Sequence, residues 1–266
     1  MTATFDAYAA YYDLLYRDKD YPGEARYVNS LLSRQGVTRG HILELGSGTG
    51  KHAVQLARLG HSVHGIDLSP SMVDRARERI PADLRASVRF DVGDVRRTRL
   101  ASRFDAVIAL FHVASYQTAN EDLGAMIETA ATHLREGGVF LFDFWYGPGV
   151  LTDPPAVRVR HLQDAQVRIT RIAEPVLHPN ENVVDVNYTV LVRQESTGTV
   201  DEIRETHRMR YLFLPELRLM LQGAGLQLVH SEEWISGKEL TCASWQAVVT
   251  VRRPAGHDCG SIARGA

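Results

Sequence analysis

Residues 41–50, HILELGSGTG, constrain the fold of this 266-residue chain more than any other stretch. An apolar run holding one acid, Glu44, closes in three glycines within five positions, Gly46, Gly48 and Gly50. The run predicts a buried strand, and the glycines predict a turn whose bare backbone a ligand can touch. Residues 51–59 follow with Val54, Leu56 and Leu59 at helical spacing, and residues 62–66 predict a second strand, completing a βαβ unit.

The alternation continues along the chain. Residues 69–79 predict a helix opened by Ser-Pro, residues 88–90 a short strand, residues 104–110 a stronger one, and residues 121–134 a helix. Gly137-Gly138 then turns the chain into VFLFDFW. Such an order implies a parallel sheet with helices on both faces. After Tyr146 the pattern changes: Gly147, Pro148, Gly149, Pro154 and Pro155 predict a loop. Three or four strand-like runs follow, including VRITRIAE, NVVDVNYTVLV and EIRETHRMRYLFL, and predict an antiparallel insertion. A helix over 215–224, a strand near 226–233 and a last strand, SWQAVVTVR, return to the first theme.

The expected fold class is α/β, Rossmann-like and doubly wound, with a mostly parallel seven-stranded sheet and an antiparallel β insertion after the fifth strand. Residues 1–40 are expected to form a helical lid, 41–146 the binding core, 147–212 the insertion on the substrate side and 213–253 the completion of the sheet. Residues 254–266 are expected to be disordered.

Composition narrows the partners. Thirty Lys plus Arg against 32 Asp plus Glu give a net charge of −2, so no global charge draws the chain to nucleic acid or anionic lipid. No segment predicts a signal peptide or membrane span, and a cytoplasmic location is expected. Cys242 and Cys259 share no metal-ligand spacing, and neither a disulfide framework nor a metal is expected. The expected partner is a small-molecule substrate, without nucleic acid or membrane; self-association as a homodimer stays open.

Glycine spacing discriminates among cofactors. A dinucleotide fingerprint needs G-x-G-x-x-G, whereas the chain has G-x-G-x-G followed by Lys51 and His52, and no Gly-Lys-Ser/Thr completes a P-loop. The order E-L-G-S-G-T-G resembles the first motif of the class I S-adenosylmethionine-dependent methyltransferases. The resemblance runs over residues 41–145 through HGIDLSPSM, FDVGDV, FDAVIALFHVASY and LREGGVFLFDF. It implies S-adenosylmethionine as cofactor and S-adenosylhomocysteine as product. By the same resemblance Glu44, Gly46, Ser47, Gly48 and Gly50 approach the methionyl part, Asp67 with Leu68 holds the ribose, and Asp94 with the Val95 backbone holds the adenine. Met72 is expected against the adenine face and Phe111 beneath the methyl group. Taken singly, the glycine turn can cap a strand, Asp67 can precede a helix as its cap, and Met72 can be simple core.

Methyl transfer from a sulfonium is an in-line displacement, so the residues must align a lone pair, exclude water and handle one proton. Three regions offer groups. Tyr8, Tyr12 and Tyr16 recur every four residues in the N-terminal segment, and Tyr12, Tyr16 and Tyr21 are candidates for an aromatic lid over the cofactor. FHVASY offers His112 and Tyr116 to take or orient the proton. In the insertion, alternation sets Asp185, Asn187 and Thr189 on one face and Val186, Tyr188 and Val190 on the other; His178, Glu205, His207 and Arg208 complete its candidates. His207 or Arg208 is expected to touch substrate, as is Trp145, while each of these residues can equally be packing.

The segment YDLLYRDKDYPGEA and the run ETHRMRYLFLPELRLMLQGAGL are similar to the amino-sugar N,N-dimethyltransferases that act on nucleotide-linked deoxysugars, of the desosamine and mycaminose type. That family carries Tyr or His at the position of Tyr116, a Ser-Ser where this chain has His112-Val113, and a double Trp where it has Phe144-Trp145. The resemblance implies N-methylation of an amine on a sugar or related metabolite. Alternatives are an O-methyltransferase with His112 as base, a non-catalytic S-adenosylmethionine-binding protein and a nucleotide-dependent oxidoreductase.

Overall fold

The computed structural model describes residues 14–255. In chain order the elements are α1 (Tyr21–Arg34), β1 (His41–Leu45), α2 (Lys51–Arg58), β2 (Ser62–Asp67), α3 (Pro70–Arg79), β3 (Val88–Val92), β4 (Phe104–Ala109), α4 (Asn120–His133) and β5 (Leu134–Tyr146). There follow α5 (Gly147–Thr152), β6 (Arg158–Gln163), β7 (Val167–His178), β8 (Val183–Gln194), β9 (Val200–Leu212), α6 (Leu214–Gly223), β10 (Gln227–Glu233) and β11 (Gln246–Arg252).

Strands β3, β2, β1, β4 and β5 lie side by side in that order, all parallel. Their apolar side chains feed two cores. Ile42, Ala106, Ile108 and Leu141 pack with α1, α2 and α3; Leu43, Val107, Phe140 and Phe142 pack with α4 and α6. Burial on both faces explains the nearly unbroken apolar runs that mark these strands in the sequence. Strand β11 adds to β5 antiparallel, and β10 adds to β11.

The strand order reverses between β1 and β4, which opens a crevice at their carboxyl ends. Four antiparallel strands, β6 to β9, hang over it. They join the rest of the sheet only where Trp145 and Tyr146 pair with Tyr211 and Leu212. Hydrogen bonding among the described residues therefore links eleven strands in one mixed sheet; the expected parallel character holds over β3, β2, β1, β4 and β5, while the sheet has more strands than the seven expected. The end of β5 runs past the crevice and captures β9, so the insertion continues the sheet.

Two further expectations change. Residues 147–152 are helical: Pro148 sits in the first turn, where its missing N–H costs nothing. Gly149 lets the helix touch Ser244, whose carbonyl oxygen would lie 2.0 Å from a Cβ there. Residues 21–34, included in the expected lid, bury Ala25, Val28, Leu31 and Leu32 against the sheet as a covering helix. The expectations for Tyr8, Tyr12, Cys259 and most of the tail fall outside the described residues. No helix among the described residues is long and apolar enough to cross a membrane.

Phe140, Phe142 and Phe144 stack along one face of β5, with centroids 4.7 and 5.8 Å apart. Phe142→Ala is expected to cost about 3–5 kcal/mol in urea unfolding, because the surrounding strands cannot close the void. A loss below about 1 kcal/mol would show that this core is loosely packed.

Candidate active site

The glycine turn after β1 has all three glycines at positive φ: 71° at Gly46, 53° at Gly48 and 74° at Gly50. Their uses differ. A Cβ on Gly46 would lie 2.5 Å from Val113, and one on Gly50 2.5 Å from Phe90, so both positions serve packing. A Cβ on Gly48 would meet nothing within 4 Å, and Gly48 borders the crevice. Asp67, at the end of β2, ties the turn down. Its carboxylate accepts the Gly48 N–H at 2.8 Å and the Ser69 N–H at 2.9 Å. Ser69, not Asp67, is the N-cap of α3. Burial pushes the Asp67 carboxyl up against the opposing pull of these N–H groups.

Beneath the turn, Glu44 is fully buried, and burial followed by the charge of Asp67 pushes its carboxyl up to about 8. Glu44 Oε2 and Ser47 Oγ are buried without a hydrogen-bond partner among the described residues. Such atoms are costly unless a ligand, ion or water supplies the missing partner.

The crevice encloses about 620 Å³, within the range of small-molecule sites. Gly46, Gly48, Asp67, Leu68 and Met72 line one end, with Asp94 and Val95 beside them. Asp94 is clasped by Arg96, whose Nε lies 2.9 Å and whose Nη2 lies 2.7 Å from its two oxygens, and that clasp holds its carboxyl low. Phe111 and His112 cross the middle in the left-handed region, at φ 64° and 67°. The His112 N–H faces Asp143 at 3.2 Å, and Nδ1 lies 2.7 Å from Asp143 Oδ2, off the line of a hydrogen bond.

The far end belongs to residues distant in sequence. Tyr116 Oη is 2.8 Å from His207 Nδ1, and His207 Nε2 is 3.1 Å from Glu205 Oε2. Burial first, then Tyr16, Tyr188 and Glu205, push the Tyr116 phenol well above its ordinary range. Tyr188 meets the His207 ring edge-on at 5.0 Å, and Tyr16 meets Phe111 at 5.0 Å. Arg171 lies over the rings of Tyr16 and Tyr188, while Trp145, Arg158 and Arg160 complete the wall.

Several expected residues lie elsewhere. Arg208 points outward beside Glu181 and Asp185, because alternation along β9 that turns His207 inward turns its neighbour out. Tyr21 is buried against His52 and under Lys51, and does not line the crevice. His178 pairs with Asp185, and Asn187 bonds Thr206, both away from it. Glu44 and Gly50 support the turn from behind. Arg158, Arg160, Arg171 and Asp143 were not anticipated; the alternation Arg-Val-Arg at 158–160 is the one available hint.

Residues 42–138 match the family described as a methyltransferase domain. A dTDP-3-amino-3,4,6-trideoxy-alpha-D-glucopyranose N,N-dimethyltransferase of Streptomyces venezuelae is 28% identical over 88% of this chain and 95% of its own. A dTDP-3-amino-3,6-dideoxy-alpha-D-glucopyranose N,N-dimethyltransferase of Streptomyces fradiae is 27% identical over 87% of this chain and 88% of its own. The crystal structure of Streptomyces venezuelae DesVI superposes with a TM-score of 0.76 at 26% identity, covering 93% of this chain and 98% of that one.

Glu44 yields a prediction for the free protein. Its folded value of about 8 stands above the ordinary 4.5, so the stability it contributes is present at low pH and is lost as pH rises through that window. Glu44→Gln should therefore gain on the native chain by on the order of 4 kcal/mol between about pH 5 and about pH 9 in urea unfolding. Parallel curves would contradict a buried, protonated Glu44.

Proposed function

The chain is an S-adenosylmethionine-dependent methyltransferase, and from that premise we propose that it methylates the amine of an amino sugar or related small metabolite. One observation carries this reading. A single crevice runs from the glycine turn and Asp67 at one end to a partly buried phenol, Tyr116, at the other.

The residues fit the cofactor. Gly48 leaves open space beside the turn where it borders the crevice, and Asp67 stands at the strand end with lone pairs for two hydroxyls. We assign Asp67 to the ribose, Asp94, Val95 and Met72 to the adenine, and Phe111 to the wall under the methyl group. When bound, S-adenosylmethionine would supply a methyl carbon on a sulfonium, and these residues would hold it in line with an amine lone pair and away from water.

Tyr116 is the group that meets the amine. His112 holds the crossing loop through Asp143, which leaves it poorly placed as a base. Tyr16 and Trp145 shape an aromatic wall that excludes water. Arg158, Arg160 and Arg171 suit an anionic carrier such as the diphosphate of the dTDP-sugars named for the relatives. The reading is of a cytoplasmic enzyme on a small molecule, and the net charge of −2 agrees with an acceptor other than nucleic acid.

Two substitutions separate the ends of the crevice. Asp67→Ala should weaken S-adenosylhomocysteine binding roughly 100-fold in calorimetric titration, from the loss of two charge-assisted hydrogen bonds. Arg160→Ala should leave that affinity intact and raise the KM for a dTDP-linked amino sugar roughly tenfold. Unchanged binding in Asp67→Ala would remove the cofactor assignment; an unchanged KM would remove the anion assignment.

A further inference from the structure

We propose that Tyr116, His207 and Glu205 form a proton relay, in which His207 is the final acceptor of the proton that the amine loses and Glu205 holds the resulting imidazolium. The inference rests on the reading of the acceptor as an amine. Tyr116 lies on the short turn after β4, and His207 lies on β9, 91 positions later; the sheet brings Oη and Nδ1 to 2.8 Å. Glu205 is two residues before His207 on the same inward face of β9, both less than a tenth exposed, and its Oε2 is 3.1 Å from Nε2.

Chemistry selects the direction of the bonds. A carboxylate beside Nε2 favours the tautomer with hydrogen on Nε2, which leaves Nδ1 as the acceptor of the Tyr116 O–H. Donating to His207 makes the phenolic oxygen an acceptor in turn, and Tyr116 lines the crevice. A protonated amine cannot attack a methyl carbon. Its proton passes to Tyr116 Oη as the phenolic proton passes to His207 Nδ1. The amine becomes neutral, the imidazole becomes an imidazolium against the Glu205 carboxylate, and no net charge is created. Because burial disfavours a phenolate, the two transfers are coupled and Tyr116 conducts without ionising. After the products leave, the proton returns by the same two bonds to water in the crevice. Each methyl added to the same nitrogen requires one such cycle.

Glu205 has a second feature that packing does not explain. Its Oε1 is buried with no hydrogen-bond partner among the described residues. A carboxylate kept under-bonded beside a histidine is expensive, and stabilising a transient cation is the use to which that charge can be put. Among the described residues, the other titratable groups seen beside His207 are Tyr188 from β8 and, beyond it, Tyr16 and Arg171 from the N-terminal segment and β7, and none of these three carries a negative charge.

The test is the pH dependence of kcat for the 3-amino dTDP-sugar named for the Streptomyces venezuelae relative, with S-adenosylhomocysteine affinity as the control for folding. Tyr116→Phe and His207→Asn should each lower kcat roughly 100-fold, and His207→Asn should abolish the acid limb of the profile. Glu205→Gln, nearly isosteric, should lower kcat and move that limb to lower pH, since it removes the charge opposite the imidazolium. If native protein turns over this sugar while His207→Asn and Glu205→Gln keep kcat and the limb, the relay is wrong and the functional reading stands. If His207→Asn loses cofactor affinity and so folding, Glu205→Gln decides alone. If the native protein transfers no methyl to the sugar, the amine reading falls and the relay with it.

Discussion

A partly buried carboxylate at the end of β2, Asp67, is the constraint on which the rest of the site depends. Asp67 accepts backbone N–H groups from both the glycine turn and the start of α3, so two elements that leave neighbouring strands are held at one fixed distance. The arrangement is costly: burial raises Asp67, and its charge adds to the burial that raises Glu44 beneath the turn. Two acids held close in a poorly solvated place, with unpartnered oxygens nearby, form a site that becomes more favourable when hydroxyls and a cation enter it. The cofactor end is thus preorganised at a cost that the bound ligand offsets.

The acceptor end is built on a different principle. Strands β6 to β9 approach the crevice as a hanging sheet, anchored by the short pairing of β5 with β9. Its inward face carries Glu205, His207 and Met209 from β9 and Val186 and Tyr188 from β8, polar and apolar groups on one surface. Such a face would be a poor core. It becomes intelligible where Tyr116 rises to meet it from the opposite side, because His207 then gains the Tyr116 hydroxyl as a partner.

Local periodicity made much of the fold legible. The alternating elements, the turn at Gly46 to Gly50 and the acid at Asp67 are short-range signals, and the crevice followed from them. Strand parity also foretold that Val186 and Tyr188 share a face. The same parity, applied to β9, puts Glu205, His207 and Met209 on one side and Arg208 on the other, and of the two alternative substrate contacts only His207 lines the crevice. Tyr116 and His207 stood as separate candidates because nothing within either segment tells that a strand 91 positions on will lie 2.8 Å away. The helix at 147–152 was hidden by its own Gly and Pro, which mark a helix start as readily as a loop. The eleven-strand sheet was hidden because the joining pairs, at 145–146 and 211–212, carry no pattern of their own.

The central claim is that this crevice moves a methyl group to nitrogen. The most direct measurement is nuclear magnetic resonance of the product formed from a dTDP-linked amino sugar and S-adenosylmethionine labelled with carbon-13 in its methyl group. The account predicts a labelled N-methyl resonance coupled to the amino-bearing ring position, appearing in step with S-adenosylhomocysteine. A labelled O-methyl resonance, or S-adenosylhomocysteine release with the sugar unlabelled, would contradict it.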